Sequence, residues 1–458
     1  MQRFLWILPL ALLCSLLWQC NAAADSPAAT AAPTSSTPSE ALVIPAAGPP
    51  NFTVEVAGMA DGPVTLVGML NDKQFALAEA PATGGRVTFQ QAEPFPQGLY
   101  FLLLPNGANF KFLLAEDQEF TLKTSLAQLG VDMQVEGNID NELLFQTNAY
   151  EQSHNAKQRP LNQQLKAYQP TDPQYQQIMD QLQTLQVERK NHLEGIFAQH
   201  PNTFFTTFKR AGQNPLLRRE LPEEKQVPVY RMEFWDNVDL RDDRLMRTPV
   251  IYNKMKRYFT ELTPQQPDSI IVALERLIAQ IPNIKGSEYY KYFVNWVALE
   301  YTPTETTLMD SEAVWVHIVK NHFTYERAFW SDSTNTYSLQ LRAEEMGNSL
   351  IGQLGPNVKA PDPSGTLRAV YDLKAPYIVV YLYNPDCEHC QEQTPVLVNL
   401  HRQWQSQATP LADVYAIAVD TEDALWKNYI AKTGMNWTNV FDPTNQAIYK
   451  TYYVNVTP

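Results

Sequence analysis

One stretch constrains the fold of this chain more than any other: an apolar run that leads straight into two cysteines three positions apart. The run Tyr377–Tyr383 is rich in β-branched and aromatic residues, which predicts a buried strand. Residues 384–386, with the sequence Asn-Pro-Asp, break that strand and favour the start of a helix. Cys387 and Cys390 then fall in the first turn of the predicted helix. The pattern predicts a strand, a tight turn and a helix that presents two thiols at its amino end.

Cysteines in this arrangement favour thiol–disulfide exchange. The positive end of the helix dipole and the free backbone N–H groups of the first turn stabilise a thiolate. A thiolate at Cys387 attacks a disulfide, and Cys390, one turn away, resolves the mixed disulfide. Two alternatives remain open at this point, half of a zinc site and an inert structural disulfide. Zinc usually needs four ligands, and the two other cysteines, Cys14 and Cys20, lie near the amino terminus.

Further landmarks surround the cysteine pair. Pro395 lies inside the predicted helix, and residues 414–420 predict the next strand. With these landmarks, residues 351–458 resemble the thioredoxin fold, and more narrowly the envelope thiol–disulfide oxidoreductases of the ResA/TlpA type. The resemblance implies that Cys387 is the attacking thiol and that Cys390 is the resolving thiol. It implies no cofactor.

The same resemblance assigns roles to three residues that carry no thiol. Residues 454–458 match the loop that contains the family's cis-proline. Pro458 would be that proline, and Thr457 and Pro458 would contact the backbone of the client peptide. Pro395 matches the proline that kinks the first helix of the family.

Charged side chains beside the cysteines are candidates for tuning their reactivity. His389 favours a thiolate at Cys387 and so makes the pair more oxidising, whereas Asp386 and Glu388 oppose this effect. Asp386 stands where the family commonly has Trp, and Gln393 stands where ResA-type members often have Glu. The resemblance implies a reductase that acts on client proteins with thiols or disulfides and receives electrons from a membrane donor.

The end of the sequence bears on the completeness of this domain. In the thioredoxin fold, two more strands and a helix follow the cis-proline. Because the sequence stops at Pro458, we expect the domain to be incomplete and the sequence to be a fragment of a longer polypeptide. An open sheet edge and a partial core would destabilise a domain that ended here.

The amino terminus has the features of an export signal. Arg3 precedes an apolar run too short to span a bilayer, which predicts a signal peptide over residues 1–20. Cys20 lies where a lipoprotein signal has its acceptor cysteine, and cleavage after Ala24 is the open alternative. Residues 21–50 are rich in Ala, Pro, Ser and Thr, which predicts a disordered tether. We expect an exported protein that a lipid on Cys20 anchors to a membrane, facing the periplasm or the cell surface.

Two segments separate the tether from the cysteine domain. Residues 51–140 contain short alternating strands with turn residues between them, which predicts a β-sandwich. Residues 141–350 are helical in character. Through residues 96–100 and 135–138 in the first segment and 234–243 in the second, both resemble modules of Bacteroidetes envelope lipoproteins, a β domain and a helical domain of unknown function. We therefore expect a multidomain chain with a β-sandwich, an α-helical domain and an α/β thioredoxin-like fold.

No metal site is predicted in the helical segment. An acidic loop there is open to interpretation as a cation site, but such loops are more often solvated caps or ion pairs. Its members are Asp236, Asp239, Asp242 and Asp243. The histidines of the segment show no ligand spacing such as H-E-x-x-H, so we interpret them as structural or surface residues. They are His154, His192, His200, His317 and His322.

The net charge of the chain and the residues before Cys387 argue against two other functions, nucleic-acid binding and peroxidase activity. The net charge of −14 argues against nucleic acid, whose phosphates require basic patches. A peroxidase of the peroxiredoxin kind would have Pro-x-x-x-Thr-x-x-Cys, but Val380 and Asn384 occupy the first two of these positions. The remaining alternative is a non-enzymatic envelope binding or scaffold lipoprotein whose redox domain is accessory. Such a scaffold would still bind its partners and support its cellular role after both cysteines are removed, whereas an oxidoreductase would not.

Overall fold

The computed structural model describes residues 42–454 and residue 457. From Ile44 onward the chain forms one compact unit, in which a β-sandwich, a helical region and an α/β region follow in order. The predicted signal peptide over residues 1–20, with Cys20, and the predicted cis-proline Pro458 lie outside the described residues. Of the tether over residues 21–50, only the last nine residues are described.

Two sheets build the sandwich. One has the order β4-β1-β7-β8 and the other β3-β2-β5-β6. Apart from the parallel β1–β7 pair, the pairs in these two sheets are antiparallel. The strands are β1 Asn51–Ala57, β2 Gly62–Leu70, β3 Lys73–Ala82, β4 Arg86–Gln90, β5 Gly98–Leu103, β6 Asn109–Leu114, β7 Thr121–Ser125 and β8 Gln134–Glu136.

Alternation along the strands explains the sandwich core. Phe52, Val54 and Val56 of β1 all point inward and are at most 1% exposed. They pack with buried residues of the opposite sheet, such as Leu102 and Phe112. Each such side chain contributes about 1.5–3 kcal/mol when fully buried. Strand β3 was not predicted, because its Ala-rich sequence has low strand propensity and most of its residues are exposed.

Helices occupy the middle of the chain. Their shared core combines residues of several helices, such as Trp235, Tyr258, Tyr290 and Phe293, each at most 2% exposed. The helices are α1 Ile139–Leu165, α2 Pro173–Gln199, α3 Phe204–Ala211, α4 Glu223–Glu233, α5 Val250–Arg257, α6 Pro267–Ile278, α7 Glu288–Glu300, α8 Ala313–His322 and α9 Ser333–Gly347. A 3-10 turn, Asp243–Arg247, precedes α5, and a π turn, Tyr258–Leu262, follows it.

The first three helices pack on the sandwich. Leu99 of β5 and Leu113 of β6 share a buried cluster with Phe197 of α2 and with Phe204 and Phe205 of α3. The outer face of the sheet β3-β2-β5-β6 is therefore apolar on this side and covered by helices. The β-sandwich and the helical region bury this face together.

The C-terminal region is an α/β layer structure. Strands β11, β12 and β13 form a parallel sheet in that order. A β9–β10 hairpin precedes it, and the helices α10 and α11 connect its strands. The bounds are β9 Lys359–Pro361, β10 Leu367–Ala369, β11 Tyr377–Tyr383, α10 Glu388–Gln405, β12 Ala412–Ala418, α11 Asp423–Thr433 and β13 Thr438–Phe441.

Both faces of this parallel sheet are buried, as the continuous apolar sequence of its strands predicts. Tyr381 and Tyr383 of β11 point to the face that α10 and α11 cover. Leu382, from the same strand, points to the opposite face, where it packs with Ile417 and with Ala360 of the hairpin. This alternation orients the end of β11 and the cysteines that follow it.

The end of the described chain lies against the last helix of the helical region. Arg342 of α9 donates from Nε to the Tyr453 hydroxyl at 3.0 Å. Asn348, just after α9, donates to the Lys450 carbonyl at 3.4 Å. Tyr453 also packs against the helical core. The α/β region is thus attached to the helical region by contacts beyond the connecting peptide.

Candidate active site

The predicted strand, turn and helix are present, with Cys387 at the N-cap of α10. Asn384 organises the turn: its side chain accepts from the Asp386 N–H at 2.8 Å and donates to the Asp420 carbonyl at 3.0 Å. Its own carbonyl accepts from the Cys387 N–H at 3.1 Å. The turn that carries Cys387 is thereby tied to the end of the neighbouring strand β12.

The two thiols have different surroundings. Cys387 is half-buried, whereas Cys390 is fully buried beneath it among residues of the α10 face. Hydrogen bonds from the backbone and side chain of Cys390 lower the pKa of Cys387, and the Thr457 hydroxyl and the His389 backbone N–H add to this effect. Burial raises the pKa of Cys390, and its hydrogen bond to Cys387 raises it further. The half-buried thiol is thus the one that ionises more readily, as a nucleophile must.

A network of hydroxyl groups lies directly under Cys390. Thr394, one turn later on α10, donates to the Cys390 carbonyl at 2.7 Å. The Tyr429 hydroxyl donates to the Thr394 hydroxyl at 3.0 Å, and the Tyr381 hydroxyl lies 2.9 Å from the same oxygen. Burial raises the pKa of Tyr381 to about 12 and also raises the pKa of Tyr429, so both stay neutral near pH 7. These neutral hydroxyls form the floor of the site.

Sequence reasoning missed this floor. Gln393, at the position where ResA-type members often have Glu, is exposed, and the buried residue beside it is Thr394. The one available signal was the polar Thr394 at a position four residues after Cys390, on the inward face of the same helix. The tyrosines come from β11 and α11, so no spacing along the chain marks them.

The structure brings some of the predicted residues together and leaves others apart. Thr457 lies against both thiols, where its hydroxyl lowers the pKa of each. The predicted tuning residues Asp386, Glu388 and His389 have exposed side chains at the mouth of the site, and it is the backbone N–H of His389 that contributes to the Cys387 pKa. Pro395 lies within α10 with its ring exposed.

A family profile matches the part of the chain that carries this site. The profile of the AhpC/TSA family matches residues 351–458. Residues 351–458 are therefore similar to the AhpC/TSA family. The predicted resemblance to thioredoxin-like oxidoreductases is thus confirmed for this domain. The β-sandwich, the helical region and the α/β region agree with the predicted multidomain fold.

Solved structures similar to the chain come from several bacteria. A thioredoxin-like protein from Bacteroides caccae has 18% identity, over 53% of this chain and 86% of that chain, with a TM-score of 0.38. A domain of a possible thiol-disulfide isomerase from Cytophaga hutchinsonii has 32% identity, over 24% of this chain and 74% of that chain, with a TM-score of 0.21. The thioredoxin domain of a thiol-disulfide oxidoreductase from Bacteroides vulgatus has 20% identity, over 23% and 76%, with a TM-score of 0.22.

No curated protein matches the chain. Within residues 42–454 and 457, no helix has the length and apolar character needed to cross a membrane.

Proposed function

We propose that this AhpC/TSA-family domain exchanges disulfides with client proteins through Cys387 and Cys390. The observation that carries the proposal is the placement of the two thiols, with Cys387 half-buried at the N-cap of α10 and Cys390 fully buried beneath it. The pKa shifts agree with this placement, down for Cys387 and up for Cys390. A pair arranged in this way has one accessible nucleophile and one protected thiol. The zinc half-site and the inert disulfide do not require this asymmetry.

The proposed reaction has two steps. The Cys387 thiolate attacks one sulfur of a client disulfide, which forms a mixed disulfide and releases the other client sulfur as a thiolate. Cys390 then loses its proton and attacks the Cys387 sulfur, which releases the second client thiolate and leaves a Cys387–Cys390 disulfide. The client gains two electrons and, after protonation, two protons. The enzyme loses the same number.

Residues around the thiols support these steps. The backbone N–H groups at the start of α10 and the Thr457 hydroxyl stabilise the Cys387 sulfur as an anion before it attacks the client disulfide. Thr457, and Pro458 after it, are proposed to bind the backbone of the client peptide. Asp386, Glu388 and His389 surround the opening and are proposed to affect which charged clients approach.

We propose the reductase direction, as the resemblance to the ResA/TlpA type implies. The oxidised pair would then need electrons from a membrane donor after each turnover. The direction depends on the reduction potential, which stabilisation of the Cys387 thiolate makes more oxidising. This stabilisation works against the proposed direction, so the potential itself is the decisive quantity.

The reduction potential tests this proposal. The full chain is equilibrated in dithiothreitol or glutathione redox buffers, and alkylation of the peptide containing Cys387 and Cys390 is followed by mass spectrometry. A reduction potential of about −270 mV, as in thioredoxin, supports a reductase. A reduction potential of about −120 mV, as in DsbA, contradicts the proposed direction. A pair that never forms a disulfide contradicts the enzyme and favours the scaffold alternative.

Trapping of clients provides a second test. In Cys390→Ser the resolving thiol is missing, so mixed disulfides between Cys387 and its clients should accumulate and disappear on treatment with dithiothreitol. Cys387→Ser is the matched control and should trap none. Trapping that is equal in the two variants would contradict the assigned roles.

We propose that the protein acts in the cell envelope, held to a membrane by a lipid on Cys20. The export features of residues 1–20 and the composition of residues 21–50 support this location. Cells fed with labelled palmitate should incorporate the label into the wild type but not into Cys20→Ser. Equal labelling of the two would contradict a lipid on Cys20.

A further inference from the structure

Three side chains able to bind a metal converge between α6 and α8. Glu275 comes from α6, and His317 and His322 come from α8. The Glu275 Oε1 atom lies 2.8 Å from Nε2 of His317 and 2.8 Å from Nε2 of His322. The possible ligand atoms all lie within 4.8 Å of one another, and no other group of three or more such residues occurs in the described part of the chain.

We propose that Glu275, His317 and His322 form a binding site for a divalent transition metal, with Zn²⁺ the best match. Two imidazoles and a carboxylate are a ligand set that zinc uses in sites with three protein ligands and one open position. Tetrahedral zinc with bonds of about 2.0–2.1 Å separates its ligand atoms by about 3.3 Å. The two contacts of 2.8 Å therefore need to lengthen by about 0.5 Å, and the two Nε2 atoms, which lie within 4.8 Å of each other, need to come to the same separation. The half-exposed Glu275 and the half-buried His317 are the side chains able to make these shifts.

The hydrogen bonds around His322 suit a metal ligand. Its Nδ1 atom lies 3.0 Å from the Tyr290 hydroxyl, and the two rings meet edge to face with centroids 5.7 Å apart. When Nε2 binds a metal, the imidazole carries its proton on Nδ1, and the Tyr290 oxygen is placed to accept it. Such a partner for the second ring nitrogen is the usual companion of a metal-binding histidine.

Burial leaves this site closed on one side and open on the other. His322 is 1% exposed, so its ring is held in place before any ion arrives. His317 and Glu275 are half-buried, and His317 lines an open cavity of about 480 Å³ whose wall also includes Gly347 and Ile351. An ion can therefore enter from solvent, and a water molecule can take the fourth position.

The sequence contains no motif for this site, because the three ligands come from two helices. His317 and His322 are five residues apart, rather than the four that place histidines one turn apart. His322 is the last residue of α8, and Glu275 lies about forty residues earlier, on a helix that packs against α8. Only the packing of α6 on α8 brings the three together.

Titration of the full chain with Zn²⁺ alone tests the proposal. The thiols are first alkylated, so that the cysteines cannot bind zinc, and the heat of binding is recorded. We expect one zinc per chain. Loss of a ligand in His317→Gln or Glu275→Gln should weaken binding at least about tenfold. His192→Gln is the matched control, since His192 stacks on Tyr150 elsewhere in the helical region, and it should bind as the wild type does.

Thermal unfolding provides a readout that distinguishes lost binding from lost structure. Zinc should raise the unfolding temperature of the wild type and of His192→Gln but not that of His317→Gln, whose half-buried ring makes it the variant best able to fold. Zinc binding weaker than about 1 mM in the wild type, or binding that His317→Gln and Glu275→Gln leave unchanged, would overturn the site. Neither result bears on the reaction proposed for the cysteines.

Discussion

At the level of single residues, the reactivity of Cys387 depends on groups that donate hydrogen bonds to its sulfur. Most of these donors belong to the backbone or to Cys390, and neither can be changed without altering the site. The hydroxyl of Thr457 is the exception, because it is a side-chain donor outside the cysteine pair, and alkylation of Cys387 by a small reagent does not involve its proposed contact with the client backbone. It therefore offers a clean way to measure how strongly the site favours the thiolate.

We predict that Thr457→Val raises the pKa of Cys387. In the wild type, the rate of Cys387 alkylation by iodoacetamide should show a midpoint below about 8.5, the value of a free thiol, because only the thiolate reacts. In Thr457→Val the midpoint should move to higher pH, since the anion loses one hydrogen-bond donor. Ser406→Ala, at the far end of α10, is the control and should keep the wild-type midpoint. A midpoint that does not move would show that Thr457 has no such role.

A second unusual residue is Lys254, which is 4% exposed in the helical core. Its Nζ atom donates to the carbonyls of Phe234 and Gln213 at 2.7 and 3.1 Å and lies 4.2 Å from the centre of the Phe234 ring. These contacts favour the ammonium group, but burial outweighs them and lowers the pKa of Lys254 to about 7. The amine is therefore neutral in the folded protein at a pH where an unfolded lysine is charged.

The shift at Lys254 predicts a pH-dependent stability. Between about pH 7 and 10.4 the unfolded chain binds the extra proton, so the free energy of unfolding should rise with pH. Comparison with Lys254→Met isolates this contribution: the wild type should gain about 2–3 kcal/mol relative to the variant between pH 7.5 and 9.5. Denaturant unfolding at the two pH values measures the difference. The control is Lys256→Met, at an exposed position, whose stability relative to the wild type should be the same at the two pH values. If the stability of Lys254→Met relative to the wild type were also the same at both pH values, the lowered pKa of Lys254 would be wrong.

At the level of elements, the start of α1 completes the edge of a sheet. Strand β6 lies at the end of the order β3-β2-β5-β6, so one side of its backbone has no strand partner. Asn141, which is fully buried, takes that place: it accepts from the Leu113 N–H at 2.8 Å and donates to the Leu113 carbonyl at 2.9 Å. Asn138 caps α1 by accepting from the Asn141 N–H at 2.9 Å. One short segment thus begins a helix and closes a strand edge.

We predict that Asn141→Ala destabilises the protein by about 2–4 kcal/mol, because it leaves a buried N–H and a buried carbonyl of Leu113 without partners. The free energy of unfolding in denaturant measures this loss. Asn148→Ala, on the exposed face of the same helix, should change stability by less than about 0.5 kcal/mol. If the two variants were equally stable, the role assigned to Asn141 would be wrong.

Elements whose pattern is local were predictable from the sequence. The prediction was correct for the strand Tyr377–Tyr383, its turn and the helix that begins after Cys387. The hydrophobic run, the residues that break the strand and the start of the helix lie next to one another in the sequence. Strand β3 was not predictable, because pairing with β2 rather than its own composition makes it a strand. The hydroxyl floor under Cys390 also escaped prediction, since Tyr381, Thr394 and Tyr429 meet only in the folded sheet-and-helix layer.

At the level of the whole molecule, the β-sandwich and the helical region meet through more than their shared apolar cluster. Gly98 lies so close to the 3-10 turn that an added Cβ would come within 2.7 Å of the Arg247 Cβ and 2.9 Å of its carbonyl oxygen. Beside it, Arg244 donates to Gln97 at 3.0 Å, and its guanidinium lies 4.8 Å from the Phe204 ring centre. A glycine is required here because two backbones approach closely.

We predict that Gly98→Ala loosens this interface. The new methyl group must push β5 and the 3-10 turn apart, which we expect to cost about 1–3 kcal/mol. Hydrogen exchange in residues 51–136 should accelerate, while tryptophan fluorescence, which comes from outside those residues, should show little change. Gly195→Ala, with nothing within 4 Å of the added carbon, is the control. Unchanged exchange in Gly98→Ala would mean that the interface tolerates the extra atom.

The apolar cluster beneath β5 and β6 also affects how the chain folds as it is made. Leu99 and Leu113 leave the ribosome well before Phe204 and Phe205, which cover them in the finished protein. At typical synthesis rates, the roughly 90 residues between β6 and α3 take on the order of 5–20 s to emerge. During that interval the nascent sandwich displays an uncovered apolar face, the kind of surface that chaperones bind. The growing chain is therefore most vulnerable to aggregation before α3 is synthesised.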